Sequence, residues 1–127
     1  MTKPTASFFW RKLDHPGADS CRLIKLSGGW RLSGSAVFWE APHACHFQYD
    51  VVADVAFRTT SATVVGYLGK KAIDIRIRSA GTGWRVNGAL NSKVAECVDV
   101  DLGFTPATNL LALRPCFGFP LLMVQRG

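Results

Sequence analysis

The fold is decided by residues 44–58, which read ACHFQYDVVADVAFR. The odd-numbered residues from Cys45 to Phe57 are all apolar, whereas polar residues recur at the even positions. Side chains alternate between the two faces of a β-strand, so this period of two places every odd residue on one face. A strand this long has to bend, bulge or curl. The stretch therefore predicts a long curled strand of the kind that builds barrels and rolls.

Neighbouring stretches show the same alternation. Residues 61–68, 71–78 and 84–87 are separated by Gly-containing turns, which predicts a three-strand antiparallel meander. Upstream strands are predicted over 7–13, 21–26 and 30–39; Gly34 is expected to bend the last of them. No long segment keeps a helical period between caps. The predicted fold class is all-β, with one antiparallel sheet curled into a barrel or roll.

Composition bounds the class of protein. A chain of 127 residues that is 48% hydrophobic predicts one β domain spanning residues 1–127. The net charge of +6 is dispersed along the chain, so no nucleic-acid partner is predicted. The four cysteines form no C-x-x-C pair, and no apolar run approaches the roughly 20 residues of a transmembrane helix. No signal peptide is predicted from the N-terminal residues. A cytoplasmic protein with reduced thiols is expected.

Metal, cofactor and nucleophile signatures are absent from the sequence. His43 and Cys45 would point to one side of a strand and His46 to the other, which does not make a closed tetrahedral site. No nucleophile elbow and no phosphate-cradling glycine loop occur. We therefore predict no catalytic residue, no bound metal and no cofactor.

Asp99 and Asp101 break the pattern of residues 44–58, because the apolar residues from Val98 to Leu102 are even-numbered. On a strand they share one face, about 6–7 Å apart by strand rise. Such a pair of carboxylates could bind a cation or share the roles of general acid and base. It is equally typical of a solvent-exposed strand face, or of carboxylates that accept hydrogen bonds from turn amides. Thr105 and Asn109 add polar groups to the following loop, which Pro106 excludes from any ladder.

Aromatic residues are concentrated in the predicted strands. In a curled sheet some of them line the interior, either as solid core or as the wall of an apolar pocket. Arg58, Arg76 and Arg85 would then hold an acidic or hydroxylated head group, or else belong to a solvated polar face. The aromatic residues in question are Trp10, Trp30, Trp39, Phe47, Tyr49, Phe57, Tyr67 and Trp84.

Several motifs resemble a known family. The string CVDVDLGFTPATNLLALR at 97–114 is similar to the signature segment of the putative glycolipid-binding family, a bacterial group with a spindle-like, curled β-barrel. FFWRKLD at 8–14, GWRLSG at 29–34 and GWRVNG at 83–88 follow the family's order, so the resemblance covers about residues 8–114. It implies a non-enzymatic module that binds a glycolipid or another amphipathic, lipid-like molecule. The ligand-binding residues that it implies are Trp10, Tyr49, Arg58, Trp84, Asp99, Asp101, Thr105 and Asn109.

The chain departs from the family pattern after Arg114. The segment CFGFPLLMVQRG does not resemble the family, and we expect a truncated or altered C-terminus. An incompletely closed sheet would then expose an edge that favours self-association. The alternative function is a hydrolase or isomerase that uses Asp99 and Asp101 as acid and base.

Overall fold

The computed structural model describes residues 4–14, 16–80, 83–91, 99–101 and 122–124. Within these ranges the chain forms β-strands and no helix, so none of the described residues belongs to a helix that could cross a membrane. The strands are β1 (Pro4–Arg11), β2 (Gly17–Leu26), β3 (Gly29–Glu40), β4 (His43–Ala53), β5 (Thr59–Leu68), β6 (Lys71–Ser79), β7 (Trp84–Val86), β8 (Ala89–Asn91), β9 (Asp99–Asp101) and β10 (Leu122–Val124).

Strands β1 to β8 form one antiparallel sheet in which each strand pairs with its neighbour in the chain. This confirms the predicted all-β class and the meander over β5, β6 and β7. The sheet is curled, and among the described residues no pairing closes β8 onto β1. Strands β9 and β10 form a separate two-stranded antiparallel sheet.

One face of the sheet carries the core, and we call it the inner face. The register aligns Leu32, Val51 and Ala62 across three strands, and each is at most 1% exposed. Apolar cross-strand neighbours of this kind stabilise a sheet because each buries the side of the next. The buried hydrophobic residues are Cys21, Leu32, Ala36, Phe38, Cys45, Phe47, Tyr49, Val51, Ala53, Ala62, Val64 and Trp84.

Strand β4 is shorter than its sequence pattern. It ends at Ala53, and Asp54 starts a turn in which its Oδ1 accepts hydrogen bonds from the amides of Ala56 (2.9 Å) and Arg58 (3.0 Å). Phe57 has a positive φ of 62°, which strands do not use. The strand therefore ends before the alternating sequence does. The Asp54 carboxylate accepts hydrogen bonds from amides that would otherwise pair with a neighbouring strand.

Candidate functional site

An open groove lies at one end of the sheet, beside the loop that joins β1 to β2. Its volume is about 640 Å³, within the roughly 300–1,000 Å³ of small-molecule sites. A backbone hydrogen bond from Lys12 N to the Gly17 carbonyl (2.9 Å) closes the loop. A second bond, from Trp39 N to the Pro16 carbonyl (2.9 Å), ties the loop to the end of β3. The loop and β3 therefore form the two walls of the groove.

The groove combines exposed apolar side chains with cations. Leu13 is 94% exposed, Val37 56% and Trp39 44%, and all three line it. Arg11 and Lys12 line the same groove together with Asp14, so cations outnumber the carboxylate there. Apolar surface next to fixed positive charge is the arrangement that an amphipathic ligand with a polar or anionic head requires.

Gly17 allows the loop to approach β3 closely. A Cβ at this position would lie 2.6 Å from the Cβ of Phe38 and 2.7 Å from Cδ of Lys12. Lys12 already lies over the Phe38 ring, with Nζ 4.9 Å from the ring centroid. This cation–π contact orients the ammonium at the groove wall, and it depends on the space that glycine leaves.

A polar cluster is buried on the inner face, in strands next to the groove. Tyr49 in β4 donates a hydrogen bond to Asp19 Oδ1 in β2, over a distance of 2.7 Å. The Tyr49 side chain crosses β3 at Gly34, where a Cβ would lie 2.6 Å from both Tyr49 Cζ and the Ser20 carbonyl oxygen. Gly34 therefore provides space for the tyrosine. The bend expected at Gly34 stays a prediction, because β3 runs from Gly29 to Glu40 without a break in pairing.

Cys21 belongs to the same cluster. Burial raises the pKa of its thiol from 9.0 to about 11; the hydrogen bond with Tyr49 opposes this shift, and the negative charge of Asp19 adds to it. The folded protein thus keeps a proton on Cys21 at pH values where the unfolded chain has released it. A raised thiol pKa disfavours the thiolate, in keeping with the buried, packed position of Cys21.

The raised pKa predicts a loss of stability at alkaline pH that depends on Cys21. Between about pH 9 and pH 11 the unfolded chain binds fewer protons than the folded one, so the free energy of unfolding falls as pH rises. This contribution should amount to up to about 2 kcal/mol. Urea unfolding at pH 8, 9, 10 and 11 gives the free energy of unfolding of the wild type and of Cys21→Ala. We expect the difference between these two free energies to become smaller as the pH rises. Parallel pH curves would contradict it.

The structure brings two of the predicted ligand residues together. Trp10 in β1 is the cross-strand neighbour of Asp19, which accepts the Tyr49 hydrogen bond. Trp10 also stacks on Phe8, with ring centroids 5.6 Å apart and planes 6° apart. Trp10, Asp19 and Tyr49 thus form one continuous part of the inner face.

Arg58 and Trp84 lie at the opposite end of the sheet. Arg58 ends the Asp54 turn, where its Nε is 3.3 Å from Asp54 Oδ2 and its side chain is 60% exposed. Trp84 pairs with Ser79 at the end of β6 and is only 2% exposed, so it is a core residue in this structure. Trp84 belongs to the same buried hydrophobic cluster as Tyr49, against which Trp10 packs, whereas Arg58 is not part of this cluster.

The remaining predicted residues are only partly described. Asp99 and Asp101 occupy alternate positions of β9, as expected, with Val124 and Leu122 of β10 as their register partners. Thr105 and Asn109, which complete the signature loop of the resemblance, lie outside the described residues. The ligand-binding role of all eight residues stays a prediction.

Other aromatic and basic side chains point away from the core. Trp39 pairs with Ala44 and Tyr67 with His46, on the outer face of the sheet. Arg76 and Arg85 also lie on the outer face, because Ile75, Ile77 and Trp84 occupy the inward positions of their strands. An arginine gate over an aromatic interior, the arrangement considered from the sequence, is therefore not formed by these two residues.

Sequence reasoning missed Asp19 and the residues of the groove. The signal for Asp19 was present: it lies two residues before Cys21 and four before Leu23, which puts a carboxylate on an apolar face. Starting the strand at Cys21 left Asp19 outside any predicted strand, whereas β2 begins at Gly17. The groove had no sequence signal, because it depends on how the β1–β2 loop packs against β3.

Comparison with protein families identifies the chain. The model of the family described as putative glycolipid-binding matches residues 7–117. The chain belongs to this family. Comparisons with curated proteins and with solved structures found no match. Within the described residues, no group of three or more His, Cys, Asp or Glu side chains is placed to hold a metal ion. Family membership thus connects the chain to binding at a coarse level.

Proposed function

We propose that this protein binds a glycolipid-like amphipathic molecule in the groove between the β1–β2 loop and β3. The observation that carries the proposal is the exposed apolar lining of Leu13, Val37 and Trp39 beside two cations, in a chain of the glycolipid-binding family. Exposed apolar side chains grouped in a concave site are typical of ligand contact.

The apolar part of the ligand would cover Leu13 and Val37. Each buried methylene contributes roughly 0.8 kcal/mol, so an acyl chain of about ten carbons would be needed for the roughly 8 kcal/mol of micromolar binding. The cost of association requires still more contacts, which the head group would supply. Trp39 presents a broad apolar ring together with an indole N–H donor, so it suits the junction between chain and head group.

The polar head would lie against Arg11 and Lys12. The guanidinium and the ammonium donate to hydroxyl, carboxylate or phosphate oxygens, and the contact with Phe38 keeps Lys12 at the groove wall. Trp10 and Tyr49 support the site from the inner face: through Asp19, they hold β1 and β2 in the positions that form the groove wall.

Trp39→Ala tests the groove directly. We expect it to weaken binding of a fluorescent glycolipid at least about tenfold, because a large buried contact surface is lost. Tyr67→Ala is the matched control: Tyr67 is 46% exposed on the same outer face, close to the 44% of Trp39, and does not line the groove. Titration of both variants with a monoglycosyl lipid and with a lipid lacking sugar gives the affinities.

Native mass spectrometry of the gently purified protein provides the second readout. A lipid-sized mass that is retained by the wild type and by Tyr67→Ala but lost from Trp39→Ala supports the proposal. Equal lipid binding by all three proteins would show that the ligand binds outside the groove. No binding of any lipid probe by the wild type would overturn the function itself.

A further inference from the structure

Three arginines lie on the outer face where β6 meets β7, at the other end of the sheet from the groove. Arg78 and Arg85 are direct cross-strand partners. Like charges placed opposite one another destabilise a sheet, and a bound anion would relieve that repulsion. Among the described residues no carboxylate forms an ion pair with Arg78 or Arg85, whereas Arg76 Nε is 3.2 Å from Asp74 Oδ1.

Hydroxyl groups adjoin the arginines. Ser61 is the cross-strand partner of Arg78, and Thr63 is the partner of Arg76. Together with Arg85 these residues line a cavity of about 240 Å³. Guanidinium and hydroxyl groups are hydrogen-bond donors that suit the oxygens of a phosphate, and the planar fork of arginine binds two of those oxygens at once.

The backbone holds the cluster in place before any ligand binds. Asn87, in the β7–β8 turn, exchanges two hydrogen bonds with Arg76 in β6: its amide donates to the Arg76 carbonyl, and its Oδ1 accepts from the Arg76 amide, both at 2.7 Å. Arg85 donates from Nη1 to the Gly88 carbonyl at 3.1 Å. These bonds fix the backbone of β6 and the turn relative to each other, and the Gly88 carbonyl holds the Arg85 guanidinium. The cost of ordering these groups on binding is lower as a result.

We propose that Arg76, Arg78 and Arg85, with Ser61 and Thr63, form a binding site for a phosphate group. The group is either free inorganic phosphate or the phosphate of a lipid head group. The site is separate from the groove and does not depend on the function proposed for it. Its ligand neutralises the Arg78–Arg85 pair that the sheet leaves uncompensated.

Inorganic phosphate at constant ionic strength, adjusted with KCl, tests the site. Phosphate should raise the melting temperature of the wild type relative to chloride. Arg78→Gln and Arg85→Gln should each weaken phosphate affinity about tenfold in calorimetric titration, because each removes a charge-assisted contact. Arg22→Gln, which removes the same charge from an exposed position in β2, should change it less than about twofold.

A second readout separates this site from a merely structural arginine cluster. In phosphate-free buffer Arg78→Gln should unfold at the same temperature as the wild type or higher, since the like-charge pair is gone. A lower melting temperature there, or an equal loss of phosphate affinity in Arg22→Gln, overturns the proposal.

Vesicles distinguish the two sources of phosphate. Co-sedimentation with phosphatidylglycerol vesicles, compared with phosphatidylcholine vesicles in the same KCl, reports a lipid head group. Vesicle binding that is lost in Arg78→Gln and kept in Arg22→Gln supports a site for the phosphate of a lipid head group. Binding of inorganic phosphate without vesicle binding supports a site for free phosphate. The absence of both responses in the wild type overturns it.

Discussion

Gly34→Ala should lower the free energy of unfolding by about 3 kcal/mol or more, whereas Gly28→Ala should leave it nearly unchanged. A methyl group at Gly34 would lie 2.6 Å from both Tyr49 Cζ and the Ser20 carbonyl, closer than non-bonded atoms allow. The Ser20 carbonyl belongs to the neighbouring strand and cannot move without disturbing the ladder between β2 and β3. The tyrosine would therefore have to leave its place over Gly34 and its hydrogen bond with Asp19.

Gly28 is the matched control for this substitution. It lies between β2 and β3, and a Cβ there would meet no atom within 4 Å. Urea unfolding monitored by circular dichroism gives both free energies, with equal m-values showing that the unfolded states are comparable. If the two alanine variants are equally stable, the space above Gly34 is not the constraint that positions Tyr49.

Tyr49→Phe should cost roughly 2–3 kcal/mol of stability. The substitution keeps the ring and removes the hydroxyl that donates to Asp19 Oδ1 at 2.7 Å. Asp19 is only 5% exposed, so water does not readily replace the lost donor, and a buried carboxylate that loses a donor is costly. Lipid binding should weaken as well, because Asp19 connects this hydrogen bond to Trp10 and β1.

Tyr67→Phe is the chemically identical control. Tyr67 is 46% exposed on the outer face, where water satisfies a hydroxyl, and its loss should change stability by less than about 0.5 kcal/mol. Thermal and urea unfolding of the two variants measure the difference. Similar small effects in both would show that the Tyr49–Asp19 hydrogen bond contributes little to folding.

Much of the strand pattern could be read from the sequence. The alternation in 44–53 and 71–78 predicted β4 and β6 with their inward faces, because one apolar face and one polar face have only one stable arrangement in a half-buried strand. The ends were less predictable. Asp54 continues the alternation of apolar and polar residues in the sequence. Its carboxylate, however, accepts hydrogen bonds from the amides of Ala56 and Arg58, and the strand ends before it.

The candidate sites could be predicted only in part. Family motifs selected Trp10 and Tyr49, which the sheet register brings to the two sides of Asp19. The residues that line the groove, such as Leu13 and Trp39, carry no motif. Their proximity depends on the hydrogen bond from Trp39 N to the Pro16 carbonyl.

The sequence by itself determined the antiparallel all-β class, the strand order of the meander and the family, because periodicity and motifs are local properties of the chain. Only the tertiary structure decided which side chains meet across strands. Tyr49 and Asp19 are 30 residues apart and come together because Gly34, in the strand between them, has no side chain. Arg78 and Arg85 face each other because a turn sets the register of β7 on β6. Contacts such as the one between Tyr49 and Asp19 depend on how distant strands stack side by side, which no single local pattern specifies.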